Sequence, residues 1–266
     1  MLRNVFLKTL RDQRRAMLWW AIGLLALAAY LAVLYPSIAN TPSYNQILQA
    51  WPKGIVVSVM GEFPDYSTPE GYMNSTTYFM MVPLLFIAFA AGLGANAIAG
   101  EEEHGTLEVL LASPLPRWRV VVDKFMALVL LTLVLGLALW LGLAVSAAPV
   151  HMNLNLGRLA AVTISAVLLG VAFGALALAV GSATGKRGLG LALASVAGIV
   201  AYFLNSLAPV VASLQPYRKL SLLYYYIGAD PLRNGLNLGH AAVLAGVSAL
   251  LLVVAMLAFE RRDVGV

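Results

Sequence analysis

Few side chains in this sequence have types and spacing that could do chemistry. The three histidines, His104, His151 and His240, are scattered and show no metal-ligand spacing. Cysteine is absent, which removes thiolate nucleophiles, cysteine metal sites and disulfides. His151-Met152, with Met60, Met73, Met80 and Met81, offers soft donors of the kind that hold copper, but methionine more commonly fills packing gaps, and that reading is preferred. Glu101-Glu102-Glu103 is the one dense run of carboxylates. It reads either as a divalent-cation site or as a solvated acidic turn favoured by the positive end of a helix, and the second is preferred. No constellation pairs a nucleophile with a base, and no Gly-x-x-x-x-Gly-Lys-Ser/Thr loop is present to cradle a nucleotide. The chain is therefore expected not to be an enzyme, and to hold neither a metal nor a cofactor of its own.

The carboxylates belong to a longer charged stretch, residues 100–124, GEEEHGTLEVLLASPLPRWRVVVDK, set between two long apolar runs. Leu107, Leu110 and Leu111 fall at helical spacing, the acidic triplet stands one turn before them, and Ser113-Pro114-Leu115-Pro116 ends the segment. The pattern predicts a short helix with an apolar face. A chain with so little soluble mass has no core to cover such a face in water, so a partner protein is the simplest cover.

The elements that must position this stretch follow from composition. With 61% hydrophobic and 11% charged residues and a mean hydropathy of +0.85, the chain lies outside the globular range. Several runs reach the roughly 20 residues a helix needs to cross a bilayer. An all-α, polytopic membrane protein with a single transmembrane domain over 1–266 is expected, with spans near 16–35, 76–99, 117–148, 158–182, 189–211 and 240–259. Arg3, Lys8, Arg11, Arg14 and Arg15 opposite Leu2, Val5, Phe6 and Leu10 predict an interfacial helix ahead of the first span. A cleaved signal peptide is the rival reading, but the apolar run is too long for one.

Pro36 is expected to stop the first span, and residues 36–75 to form an outer loop lying partly on the membrane through Ile47, Leu48, Trp51, Ile55, Val56 and Val59. Asn74-Ser75-Thr76 matches a glycosylation acceptor, a pattern short enough to arise by chance. Pro83 falls inside the second span, where a neighbouring helix must satisfy the carbonyl it frees. Gly170 and Gly174 would allow a close helix approach in the fourth span.

Six spans put both termini on one side. That side carries the five basic residues of the N-terminus, Arg117, Arg119, Lys124, Lys186, Arg187, Arg261 and Arg262, against Lys53, Arg158, Arg218, Lys219 and Arg233 on the other, which accounts for all 17. The bias predicts cytoplasmic termini and a cytoplasmic central stretch. It also accounts for the net charge of +5 without nucleic acid, for which no basic stripe with interleaved aromatics is present. No charged residue lies deep in a span as drawn, which argues against an ion-coupled carrier.

Glu101 to Leu111, followed by Pro114 and Arg117, resembles the signature of the type-2 permeases of ATP-binding-cassette (ABC) exporters. Pro69-Glu70-Gly71-Tyr72 before the second span also matches, as do Leu222-Leu223-Tyr224-Tyr225-Tyr226, Asp230-Pro231-Leu232 and Gly235 before the sixth, so the resemblance covers essentially the whole chain. It looks closest to the subgroup with copper-enzyme-maturation and gliding-motility permeases. The resemblance implies a short cytoplasmic coupling helix between spans two and three that docks on a separate ATPase subunit. Glu101, Glu102, Glu103 and Glu108 would be polar contacts, Gly105 and Thr106 would shape the turn, and Leu107, Leu110 and Leu111 would pack on the ATPase or on neighbouring helices.

It further implies export across the cytoplasmic membrane, ATP and Mg bound by the partner ATPase, and a second permease subunit, giving a homodimer in contact with lipid. Segment 215–239 would cap the path, with Tyr224 to Tyr226 at the membrane interface. The alternatives are a non-transporting subunit that transmits mechanical work to an extracytoplasmic partner, and a gradient-driven carrier.

Overall fold

The computed structural model describes residues 5–39, 41, 50–61, 68–107 and 116–262, and every regular element among them is helical. Six helices are long and apolar enough to cross a membrane. The first, α1 (Val5–Ala39), is one rod of 35 residues, about 50 Å at 1.5 Å per residue. Lys8, Arg11, Arg14 and Arg15, expected on an interfacial helix, are therefore continuous with the first span, while Leu2 and Arg3 lie outside the described residues. Pro36 does not stop it: the proline lies inside the last turn, where few hydrogen bonds remain to lose.

A short helix, α2 (Lys53–Met60), follows, with Trp51, Ile55 and Val59 exposed as a membrane-surface element requires. Ile47 and Leu48 lie outside the described residues. The second span, α3 (Pro69–Glu103), starts well before position 76. Thr68 caps it by accepting the Gly71 N–H at 3.1 Å, and Pro69 fits the first turn. Asn74 is consequently helical and fully buried, so its glycosylation triplet is a chance match. Two stretches of α3, Met73–Met81 and Asn96–Gly100, are wound as π-helix.

The third and fourth spans are α4 (Arg117–Ala147) and α5 (Leu156–Thr184). The fifth, α6 (Arg187–Leu207), ends four residues earlier than expected, because Pro209 has no N–H to continue the ladder. A 3₁₀ turn (Ala212–Leu220) and two short helices, α7 (Leu222–Ile227) and α8 (Pro231–Asn234), lead into α9 (Leu238–Arg261). Tyr226 is 1% exposed, turned into the bundle from the inner face of α7. Met73 and Met152 are likewise core residues, whereas Met80 is exposed.

The centre of the bundle is α5, with α3, α4, α6 and α9 packed round it and α1 against α4. In lipid no hydrophobic force draws apolar helices together, so contact depends on how closely backbones fit. The Gly170 and Gly174 pair faces α3: a Cβ on Gly174 would stand 2.8 Å from the Ala90 carbonyl, and one on Gly94 2.0 Å from the Gly174 carbonyl.

Candidate functional site

The charged stretch begins where α3 ends. The Thr106 N–H bonds the Glu101 carbonyl and the Gly105 N–H bonds the Glu102 carbonyl, both at 2.9 Å. This crossed pair closes the last helical turn, and it needs a left-handed residue at position 105, where Gly105 has φ +68°. The Thr106 hydroxyl lies 3.1 Å from the Glu101 carbonyl and 2.5 Å from its carboxylate. Gly-Thr after the acidic run is thus a helix stop written in sequence.

The triplet is accordingly the last turn of a span, not the approach to a new helix. That reverses its electrostatics. Carboxylates here face the negative end of the α3 dipole, which by itself destabilises them. Each is nonetheless held by a group from elsewhere in the bundle, Glu101 and Glu102 partly buried and Glu103 at the solvent-exposed edge.

Glu101 is the most enclosed. Lys124 of α4 stands 2.5 Å from one carboxylate oxygen and Lys8 of α1 3.1 Å from the other, with side chains 13% exposed for Glu101 and 4% for Lys124. Glu102 pairs with Arg262, just past α9. The Arg262 guanidinium also reaches the Ser182 carbonyl in the last turn of α5, and its own carbonyl accepts from Arg117 at 2.8 Å. Glu103 accepts the Arg187 N–H at 3.0 Å, placing a carboxylate at the positive end of α6. The triplet therefore gathers α1, α4, α6 and α9 round the end of α3, and reaches α5 through Arg262.

Of the residues singled out from sequence, Glu101, Glu102, Glu103, Gly105, Thr106 and Arg117 meet at this hub. Leu107 is 1% exposed and belongs to the chain's own core, so no partner is needed to cover it. Glu108, Leu110, Leu111 and Pro114 lie outside the described residues. Arg117 faces the C-terminal turn and lies 5.9 Å over the Phe259 ring.

The sequence reading missed Lys8, Lys124 and Arg262 as members of the site, having counted them only as positive charge. The available signal was Lys124, an ammonium two turns into an apolar helix that must find a carboxylate. Replacing Arg262 with alanine is expected to destabilise the protein by about 2 kcal/mol, as a charged hydrogen bond is lost from a half-buried carboxylate. Thermal unfolding in detergent would measure it, with Arg262→Lys intermediate.

Among the described residues, six helices long and apolar enough to cross a membrane, joined at one end by an ionic hub with both described ends of the chain at it, define a multi-pass membrane protein. The model of the ABC-2 family transporter protein matches residues 3–264, and the chain belongs to that family. It is an ABC transporter permease, a kind of subunit that is generally non-enzymatic and associates with an ABC ATPase subunit. No curated protein matches the chain.

Proposed function

We propose that this permease couples ATP hydrolysis in a separate ATPase subunit to export across the cytoplasmic membrane. The stretch 100–124 would meet the ATPase, with Glu108, Leu110 and Leu111 in contact and ATP and Mg held by the partner alone. The observation that carries this reading is the hub: the last turn of α3 is bonded to Lys8 of α1, Lys124 of α4, Arg187 of α6 and Arg262 just past α9, and through Arg262 it reaches α5. A push on the loop therefore acts on the whole bundle and not on one helix.

Sidedness follows from charge. Lys8, Lys124, Arg187 and Arg262 collect at the hub end, which the positive-inside bias assigns to the cytoplasm. The export direction rests on the resemblance to ABC exporters, as does a permease homodimer carrying two ATPase chains. The carrier alternative is not favoured: the buried Lys124 is paired with Glu101 at the helix end.

The test is the ATPase rate of a co-expressed ABC ATPase in lipid discs with the intact chain and with Gly105→Pro plus Leu110→Asp. Proline cannot adopt φ +68°, so the helix stop is lost together with the apolar contact. The ATPase is expected to co-purify with the intact chain and to lose permease-dependent regulation with the variant. Unchanged binding and regulation with a folded variant would remove the coupling role from this stretch.

A further inference from the structure

At the far end of α3, about 35 Å from Glu103 along the helix, a second joint is built from buried polar groups. In the π-wound part of α3 the Val82 N–H bonds the Thr77 carbonyl, five residues back. The next carbonyl in that pattern is Tyr78's, and its donor would be the N–H of residue 83. Position 83 is proline, which has none. The hydroxyl of Tyr226, from α7, donates to that carbonyl at 2.7 Å.

The Tyr78 side chain is anchored as well. Its hydroxyl lies 2.9 Å from Thr163 Oγ1 on α5, and since the Thr163 proton goes to the Leu159 carbonyl, Tyr78 is the donor. Tyr78, Tyr226 and Thr163 are all buried. A second tie joins the same parts, from Asn74 Nδ2 of α3 to Asp230 Oδ1 at 2.7 Å, where Asp230 precedes α8.

We infer that Tyr226 is a positioning residue for transport: its hydroxyl replaces the N–H that Pro83 lacks and holds a hinge at residues 78–83 shut, so that α3 carries movement from the Glu101 end to segment 222–234. A π-turn followed by proline is a weak point in a helix, and one side chain from a different element closes it. Without the hydroxyl α3 bends at the joint, and movement entering at the hub is lost before it reaches the far end. The role in transport rests on the coupling proposed above. The hinge itself does not.

The experiment uses the natural lack of cysteine. Ile227→Cys places one thiol at a buried position of α7, and its reaction rate with a polar thiol reagent is measured in lipid discs containing the permease and ATPase. Tyr226→Phe should raise that rate about fivefold, because local opening controls access, and should lower ATPase stimulation to less than about half. Tyr225→Phe should change neither.

Adding Pro83→Ala to Tyr226→Phe supplies the missing N–H and should bring both readings back to within about twofold of the parent, which loss of packing alone would not do. An unchanged labelling rate in Tyr226→Phe would overturn the inference, as would failure of Pro83→Ala to restore it. Should Tyr226→Phe not fold, the double variant must fold for the inference to stand. If the intact chain does not stimulate the ATPase while labelling behaves as stated, the coupling proposal fails and the hinge remains.

Discussion

Lys124→Ala is expected to destabilise the permease by about 3–5 kcal/mol, the usual result of removing one partner from a buried ion pair. The alanine leaves Glu101 facing the negative end of α3 with only Lys8, whose side chain is 23% exposed, as counter-charge. Glu101→Ala should be nearly as harmful, since it leaves an ammonium in a site where its side chain is 4% exposed. The double replacement should recover most of the loss, because only Lys8, which is partly exposed to water, is then left without its carboxylate, and a coupling of at least about 2 kcal/mol is expected from the cycle. Thermal unfolding of the four proteins in detergent measures it. Additive losses would mean that the two groups do not depend on one another and that the hub is not held by this pair.

Gly94→Val should have a comparable or larger effect by a different route. A Cβ at position 94 would lie 2.0 Å from the carbonyl oxygen of Gly174 and 2.9 Å from its carbon, both backbone atoms that no rotamer change can move. The two central helices must separate, and as close contact is what holds helices together in lipid, at least about 3 kcal/mol is expected to be lost along with most of the folded yield. Gly23→Val is the matched control. Nothing lies within 4 Å of a Cβ there, so the same substitution should leave yield and melting temperature unchanged. Recovery of monodisperse protein by gel filtration separates the outcomes, and normal recovery of Gly94→Val would show that α3 and α5 are not in close contact.

Both effects depend on contacts between residues far apart in the chain, and this marks what could be read in advance. Helical class, six spans and family resemblance were legible because each rests on local sequence: runs of apolar residues, the Pro69–Tyr72 match, and the compact Glu101–Leu111 signature. Span ends were less so. Pro36 and Pro209 look alike in sequence, yet α1 runs through the first and α6 stops before the second.

The acidic triplet shows the limit most clearly. Its carboxylates suit the start of a helix by local rules, but the crossed bonds of Gly105 and Thr106 make it the end of one. That placement is tolerable only because Lys8, Lys124, Arg262 and the Arg187 N–H come to it from other helices.

By itself, then, the sequence determined that the chain is a helical membrane protein, because bilayer thickness and helix rise turn apolar run lengths directly into spans, and its motifs carried the resemblance to the ABC-2 family. It also required that the carbonyl freed by Pro83 be satisfied by a neighbour. Only the tertiary structure decided that the neighbour is Tyr226, that Gly174 meets Gly94, and that each member of the triplet has a partner from elsewhere in the bundle. The physical reason is common to all three: unpaired polar groups and poor backbone fit are costly in lipid, so partners must exist, but their identity depends on how helices distant in sequence are brought together.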